Sequence, residues 1–196
     1  MVASGAPSGR AAVFLDRDGV INRSIVREGK PFAPRDASDL EILPGVETAL
    51  VSLRRAGFLA IVVTNQPDIA TGAQRSEVLA AMHERLMHEL AIDAIRVCPH
   101  VDADACACRK PKAGLLLDAA REFGIDLTAS YMVGDRWRDV EAGHRAGCRS
   151  FFIDYGYDEQ RPDPPFVAVA SLAEMAALVS ASAADDSARK TGKEHD

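Results

Sequence analysis

Two aspartates, Asp16 and Asp18, stand two positions apart in Asp16-Arg17-Asp18-Gly19, directly after the short apolar run Ala11 to Leu15. Acids held this close repel, and burial would raise the pKa of one of them. One can then remain ionised as a nucleophile while its neighbour is kept protonated as an acid. A divalent cation would neutralise much of the remaining charge, and hard carboxylate oxygens suit magnesium. Asp135, within Gly134-Asp135 at the end of a second apolar run, supplies a third acid for such a site, and Asp139 follows at i+4. Blander readings exist for both. Asp and Gly are common in exposed turns, and Asp135 could simply cap the next helix.

Thr64-Asn65-Gln66 ends another apolar run with a hydroxyl, an amide and loop N–H groups. These could hold an anionic oxygen without adding charge, although a plain turn explains the triplet as well. Arg109-Lys110-Pro111-Lys112 opens a helix, where the macrodipole favours anions over cations. Cations in that place fit the stabilisation of charge on a transferring phosphoryl group. Just before them, Cys98-x-His100-x5-Cys106-x-Cys108 offers three thiolates and an imidazole. That is a complete tetrahedral zinc set with no open position, so the expected role is structural. A disulfide between two of these cysteines is the alternative; Cys148 reads as an inert core residue. The histidines His83, His88 and His144 fall on helical patterns and read as surface or core residues, and Trp137 as packing.

The elements that must position these groups alternate. Apolar runs at Ala11 to Leu15, Leu59 to Val63 and Tyr131 to Val133, with the stretches Ile95 to Val97 and Arg149 to Ile153, predict strands. Helical stripes at Val46, Ala49, Leu50 and Leu53, at Leu79, Met82, Leu86 and Leu90, and at Leu115, Leu116, Ala119 and Phe123 lie between them. One helix runs through Val140 and another starts at Ser171 after the short apolar run Val167 to Val169. The pattern predicts a three-layer α/β/α sandwich on a mainly parallel, doubly wound sheet, with no large cap domain. Ligands of such sheets lie outside the carboxyl ends of the strands. Asp16, Thr64, the cysteine loop and Asp135 should therefore converge on one rim. The expected organisation is a flexible stretch 1–10, one domain 11–181 with a binding loop 22–43 and a zinc loop 98–108, and a disordered tail 182–196.

Composition narrows the function classes. The chain has 196 residues, a net charge of −6, 47% hydrophobic and 27% charged residues, which suits one globular domain without disulfide staples. The acidic balance argues against a nucleic-acid partner. No run of about eighteen apolar residues predicts a membrane span, and the N-terminus has no apolar signal core, so a cytoplasmic monomer is expected.

Four of these motifs, in this order, resemble the haloacid dehalogenase superfamily of phosphatases. Asp16-Arg17-Asp18-Gly19-Val20-Ile21-Asn22, Thr64-Asn65-Gln66, the Cys/His pairs, Arg109-Lys110-Pro111 and Val133-Gly134-Asp135-Arg136 look like its heptose-bisphosphate phosphatase branch, which is related to histidinol-phosphate phosphatases. The resemblance implies a magnesium-dependent phosphatase acting on a small phosphorylated metabolite, with a zinc-stapled loop. Asp16 would be the nucleophile, and Asp18 would protonate the leaving oxygen and then activate water. Thr64 and Lys110 would hold the phosphoryl group. Asp16, Asp18 through its backbone carbonyl, and Asp135 would bind magnesium. Asn65, Gln66, Arg109, Arg136 and Arg27 would contact substrate. Val20 stands where many superfamily members have threonine, and Pro67-Asp68 replaces Ser-Gly. Substrate choice is expected to reside in the divergent segment Arg23 to Pro34. A small-metabolite phosphatase of the histidinol-phosphate type and a catalytically silent zinc-stapled module are the other readings.

Overall fold

The computed structural model describes residues 9–191, with side chains through residue 182. In chain order the elements are β1 (Ala12–Leu15), β2 (Ile25–Arg27), β3 (Lys30–Phe32), α1 (Val46–Arg55), β4 (Leu59–Asn65), α2 (Asp68–Thr71), α3 (Ser76–Glu89) and β5 (Ala94–Cys98). Then come α4 (Gly114–Phe123), β6 (Tyr131–Gly134), α5 (Trp137–Ala146), β7 (Arg149–Ile153), β8 (Val167–Val169) and α6 (Leu172–Thr191).

Six strands form one sheet in the order β5-β4-β1-β6-β7-β8, and every pair is parallel. Residues of the four central strands are buried on both faces because helices cover both. Val13 and Leu15 of β1 join the core made with α1, α3 and α6, through Leu50, Leu53, Met82, Leu86 and Met175. Ala12 and Phe14 alternate to the other face and pack with Leu116, Ala119 and Ala142 of α4 and α5. Each fully buried leucine in these layers contributes about 1.5–3 kcal/mol relative to exposure. The three-layer sandwich expected from the alternating pattern is the fold found.

After β1 the chain winds outward through β4 and β5, then returns to lay β6 on the opposite side of β1. The order therefore reverses between β1 and β6, and the crevice at that switch point is where such sheets take ligands. Asp16 follows β1 and Asp135 follows β6.

Four differences from the sequence reading have physical reasons. The 22–43 segment contains a hairpin, β2–β3, turned at Glu28-Gly29, both with positive φ (49° and 74°). Three-residue strands are too short for a period-2 signal, and Pro31 is tolerated because the two-stranded ribbon leaves it an unpaired edge. The one-turn helix α2 is likewise below the length that periodicity detects. β4 continues to Asn65, so Thr64 lies inside a strand rather than after one. Lastly, α6 continues through Thr191 where a disordered tail is expected from 182, in keeping with alanines at 181, 183, 184 and 188. Residues 192–196 of that tail, and 1–8 of the expected flexible start, lie outside the described residues. Arg10 is tied by a parallel bridge to Ile125. Among the described residues no helix is long and apolar enough to cross a membrane.

Candidate active site

The β1–β6 switch point brings Asp16, Asp135 and Asp139 together, with a carboxylate oxygen from each within 4.8 Å of the others. All three are buried, and Lys110 lies among them, 1% exposed. Its Nζ is 2.9 Å from Asp16 Oδ1 and 2.6 Å from Asp139 Oδ1. Three acids against one ammonium leave excess negative charge out of water. Burial, against the pull of Lys110 and with the push of Asp139 and Asp18, raises Asp16 to about 7. Burial first, then Asp16 and Asp139, push Asp135 well above the usual carboxylate range. Asp135 accepts one bond at Oδ2, from the Tyr157 hydroxyl at 2.9 Å, while Oδ1 is buried with no hydrogen-bond partner. An orphaned carboxylate oxygen beside two further acids fits a hard divalent cation, whose charge would reverse these pKa shifts.

The approach of these groups depends on two glycines. A Cβ at Gly19 (φ +82°) would lie 1.9 Å from Asp135 Oδ2, and one at Gly134 would lie 2.1 Å from Asp139 Cβ. Neither loop could come so close with a side chain present.

Asp18 is held differently from Asp16. Its carboxylate accepts from Arg17 Nε and Nη2, from Asn22 Nδ2 and from Gln66 Nε2, at 2.9–3.1 Å. Its side chain is not part of the three-acid cluster, whose third member is Asp139; Asp18 is expected at magnesium through its backbone carbonyl, and Asp16 and Asp135 through the carboxylates found there. Of this pair, Asp16 is the acid that burial raises. Arg17 is fully buried, and its Nη1 also meets His83 Nε2 at 3.1 Å. Burial first, and then the Arg17 charge, push His83 down to about 4, so it meets Arg17 as a neutral acceptor. His83 is thus tied to the site rather than to the surface or apolar core.

Above the acids lies a cavity of about 230 Å³, lined by Asp16, Asp18, Lys110 and Asp135 together with Asn65, Gln66, Arg136, Arg138 and the hairpin residues Pro31 and Phe32. Asn65 does more than line it: Nδ2 donates to the Lys110 carbonyl and Oδ1 accepts from the Lys110 amide. This reciprocal pair fixes the backbone that delivers the lysine. Thr64 is buried outside the cavity lining, with its hydroxyl accepting from Gln66 Nε2. Arg136 lines the cavity but is bonded through two nitrogens to Glu159. Arg27 faces a neighbouring groove with Arg35 and Asp68, and Arg109 is turned into the cysteine loop.

That loop gathers Cys98, His100, Cys106 and Cys108 with their ligand atoms mutually within 4.8 Å. The sulfur–sulfur separations are 3.2, 3.4 and 3.7 Å, far beyond a disulfide, and all four cysteines are free. A zinc ion with bonds of about 2.3 Å to sulfur needs tetrahedral edges of about 3.8 Å, so the cluster is slightly contracted but correctly shaped. Lys112 Nζ holds the loop through the carbonyls of Ala105 and Cys106, both at 2.7 Å.

Comparison with known proteins shows the family of the fold. A profile of the HAD-hydrolase-like family matches residues 107–175. The D-glycero-beta-D-manno-heptose-1,7-bisphosphate 7-phosphatase of Bordetella bronchiseptica is 36% identical over 149 residues, 74% of this chain and 80% of that protein. The chain belongs to the haloacid dehalogenase superfamily of phosphatases. It is similar also to the D-glycero-alpha-D-manno-heptose-1,7-bisphosphate 7-phosphatase of Mycobacterium tuberculosis, 38% identical over 138 residues (67% of this chain, 70% of that one). The crystal structure of the B. bronchiseptica D,D-heptose 1,7-bisphosphate phosphatase, complexed with magnesium and phosphate, superposes with a TM-score of 0.75 at 30% identity, covering 86% of this chain and 97% of that one. As a member of this superfamily the chain is a hydrolase.

Asp139, Arg17, His83, Tyr157 and Glu159 enter the site without having been singled out for it. Only Asp139 had a signal, its i+4 spacing from Asp135. Tyr157 and Glu159 sit on an irregular segment after β7, where no periodicity points to the site.

Proposed function

We propose that this chain is a magnesium-dependent phosphatase of a small phosphorylated sugar, D-glycero-D-manno-heptose 1,7-bisphosphate, working through an aspartyl-phosphate on Asp16. The observation that carries the chemistry is Asp16, Asp135, Asp139 and Lys110 meeting at the floor of one cavity. The names of the similar enzymes supply the sugar. Magnesium, held by Asp16, the Asp18 carbonyl and Asp135, would neutralise the buried acids and draw charge from the phosphoryl oxygens.

The protein groups divide the remaining work. Arg17 N–H donates to Asp16 Oδ1 at 2.7 Å and the Lys110 ammonium is ion-paired with the same oxygen at 2.9 Å, which leaves Oδ2 for attack. The Asp16 oxygen bonds to phosphorus as the bond to the sugar oxygen breaks, and Asp18 supplies the proton to that oxygen. Asp18 then takes a proton from water, which attacks phosphorus and releases phosphate from Asp16. Lys110 stays beside the transferring group throughout, and Asn65 keeps it there. Thr64 acts through Gln66, which it orients by accepting from its amide.

We assign zinc to the Cys98–His100–Cys106–Cys108 cluster. Because Lys110 follows Cys108 by two residues, the ion would anchor the backbone that presents the lysine. Zinc binding in small peptides is worth roughly 10–16 kcal/mol of folding free energy. Prolonged treatment with a strong chelator should therefore lower the melting temperature, and zinc should restore it. An unchanged melting curve after complete zinc removal, measured by elemental analysis, would refute a structural ion. A reducing cytoplasm is the compartment in which such thiolates stay available.

The function is tested by phosphate release from pure protein with magnesium, across both anomers of the heptose bisphosphate, other sugar phosphates and histidinol phosphate. The heptose bisphosphate should give the highest kcat/KM. Preference for the amino-alcohol phosphate would overturn the sugar assignment and leave the phosphatase chemistry standing.

A further inference from the structure

The two oxygens of the Asp135 carboxylate are held unequally. Oδ2 lies where a Cβ on Gly19 would meet it at 1.9 Å, so only a glycine leaves it room. The same oxygen accepts the Tyr157 hydroxyl at 2.9 Å. Oδ1 is buried with no hydrogen-bond partner, and Asp135 lines the active-site cavity. One oxygen is therefore pinned while the other is left for a cation.

Tyr157 stands in the irregular segment 154–159 that follows β7, and other contacts fasten that segment without its hydroxyl. Tyr155 donates its hydroxyl to the Gly19 carbonyl at 3.0 Å, and the Asp158 amide donates to the Gly29 carbonyl at 2.8 Å. Glu159 is paired with two nitrogens of Arg136, and the Tyr155 and Tyr157 rings lie 5.6 Å apart. An already fixed backbone thus brings the phenol to Asp135.

The last torsion of an aspartate is broad and twofold, so an unheld carboxylate must be ordered when a metal binds. A hydroxyl donating to Oδ2 does that ordering beforehand and, being neutral, leaves the acid its charge. We infer that Tyr157 is a positioning residue of the metal site, whose hydroxyl fixes Asp135 so that Oδ1 is free for magnesium. This rests on the magnesium reading above.

The test reads metal affinity directly. Zinc-loaded protein, freed of magnesium by gel filtration, is titrated with manganese(II), which shares the preference for carboxylate oxygen. Electron paramagnetic resonance counts the free ion, and competition gives the dissociation constant of magnesium. Tyr157→Phe keeps the ring and should raise both constants by about tenfold to a hundredfold. Phosphate release should need correspondingly more magnesium, with kcat recovered at saturation. Tyr155→Phe loses a hydroxyl from the same segment but none from Asp135, and should bind both ions as wild type does. Unchanged affinity in Tyr157→Phe, even with a lowered melting temperature, overturns the inference and leaves the magnesium reading intact. Equal losses in both variants overturn it too, because the segment and not this hydroxyl would then set the affinity. A wild type that binds neither ion overturns both.

Discussion

Asp16→Asn should release phosphate at a rate reduced by roughly 10⁴-fold or more, the scale on which loss of an enzymatic nucleophile is felt. The amide is nearly isosteric and can still accept from the Arg17 N–H that now meets Asp16 Oδ1 at 2.7 Å. It cannot form the aspartyl-phosphate, because an amide oxygen is a poor nucleophile towards phosphorus. The fold should survive, since replacing one of three crowded buried acids removes repulsion along with the contact to Lys110. Phosphate release and a thermal melt on the same sample check both halves. Turnover near wild type would remove Asp16 from the role of nucleophile.

Lys110→Met should be the most destabilising single change at the site. Methionine fills the volume, but the ammonium now 2.9 Å from Asp16 and 2.6 Å from Asp139 is lost, and two buried carboxylates remain uncompensated. Breaking a buried ion pair from one side costs about 3–5 kcal/mol. For a chain of this size that lowers the melting temperature by about 6–20 °C. The pH dependence has a definite sign. Folding already raises Asp16 from 3.8 to about 7 with Lys110 opposing the shift, so removing the lysine raises it further. A raised acid penalises the folded state fully above its folded pKa and not at all below its unfolded one. The deficit of the variant should therefore shrink as pH falls from 8 towards 4. Lys110 is itself raised, by Asp139 and Asp16 against the opposing effect of burial, so it stays protonated across that range and the change comes from the acids. Melting curves at pH 8 and 5 with the metal removed make the comparison. A deficit that grows on acidification would contradict the buried-acid account.

Much of the architecture was legible because strands buried on both faces read as plain apolar runs. Phe14 and Leu15 face opposite helical layers, yet both must be apolar, so even the short runs of the central strands carry a signal. Asp16 and Asp135 were legible for the same reason: each is a charge placed immediately after such a run. What escaped is held by contacts with no fixed spacing. Tyr157 reaches Asp135 from an irregular segment 22 residues away, and His83 reaches Arg17 across 66 residues. The hairpin turned at Glu28-Gly29 has strands too short to carry a pattern.

Gly19 carries an implication beyond its own turn. With the Asp135 carboxylate standing where any larger residue would put its first carbon, position 19 is closed to the other nineteen amino acids unless the Asp135 side chain, or the strand end that carries it, retreats. Such a retreat would widen the gap between the carboxylates and weaken their shared hold on a cation. The loops after β1 and β6 can therefore change only in concert, and random mutagenesis that restores activity to a Gly19 variant should find its second hits near the end of β6.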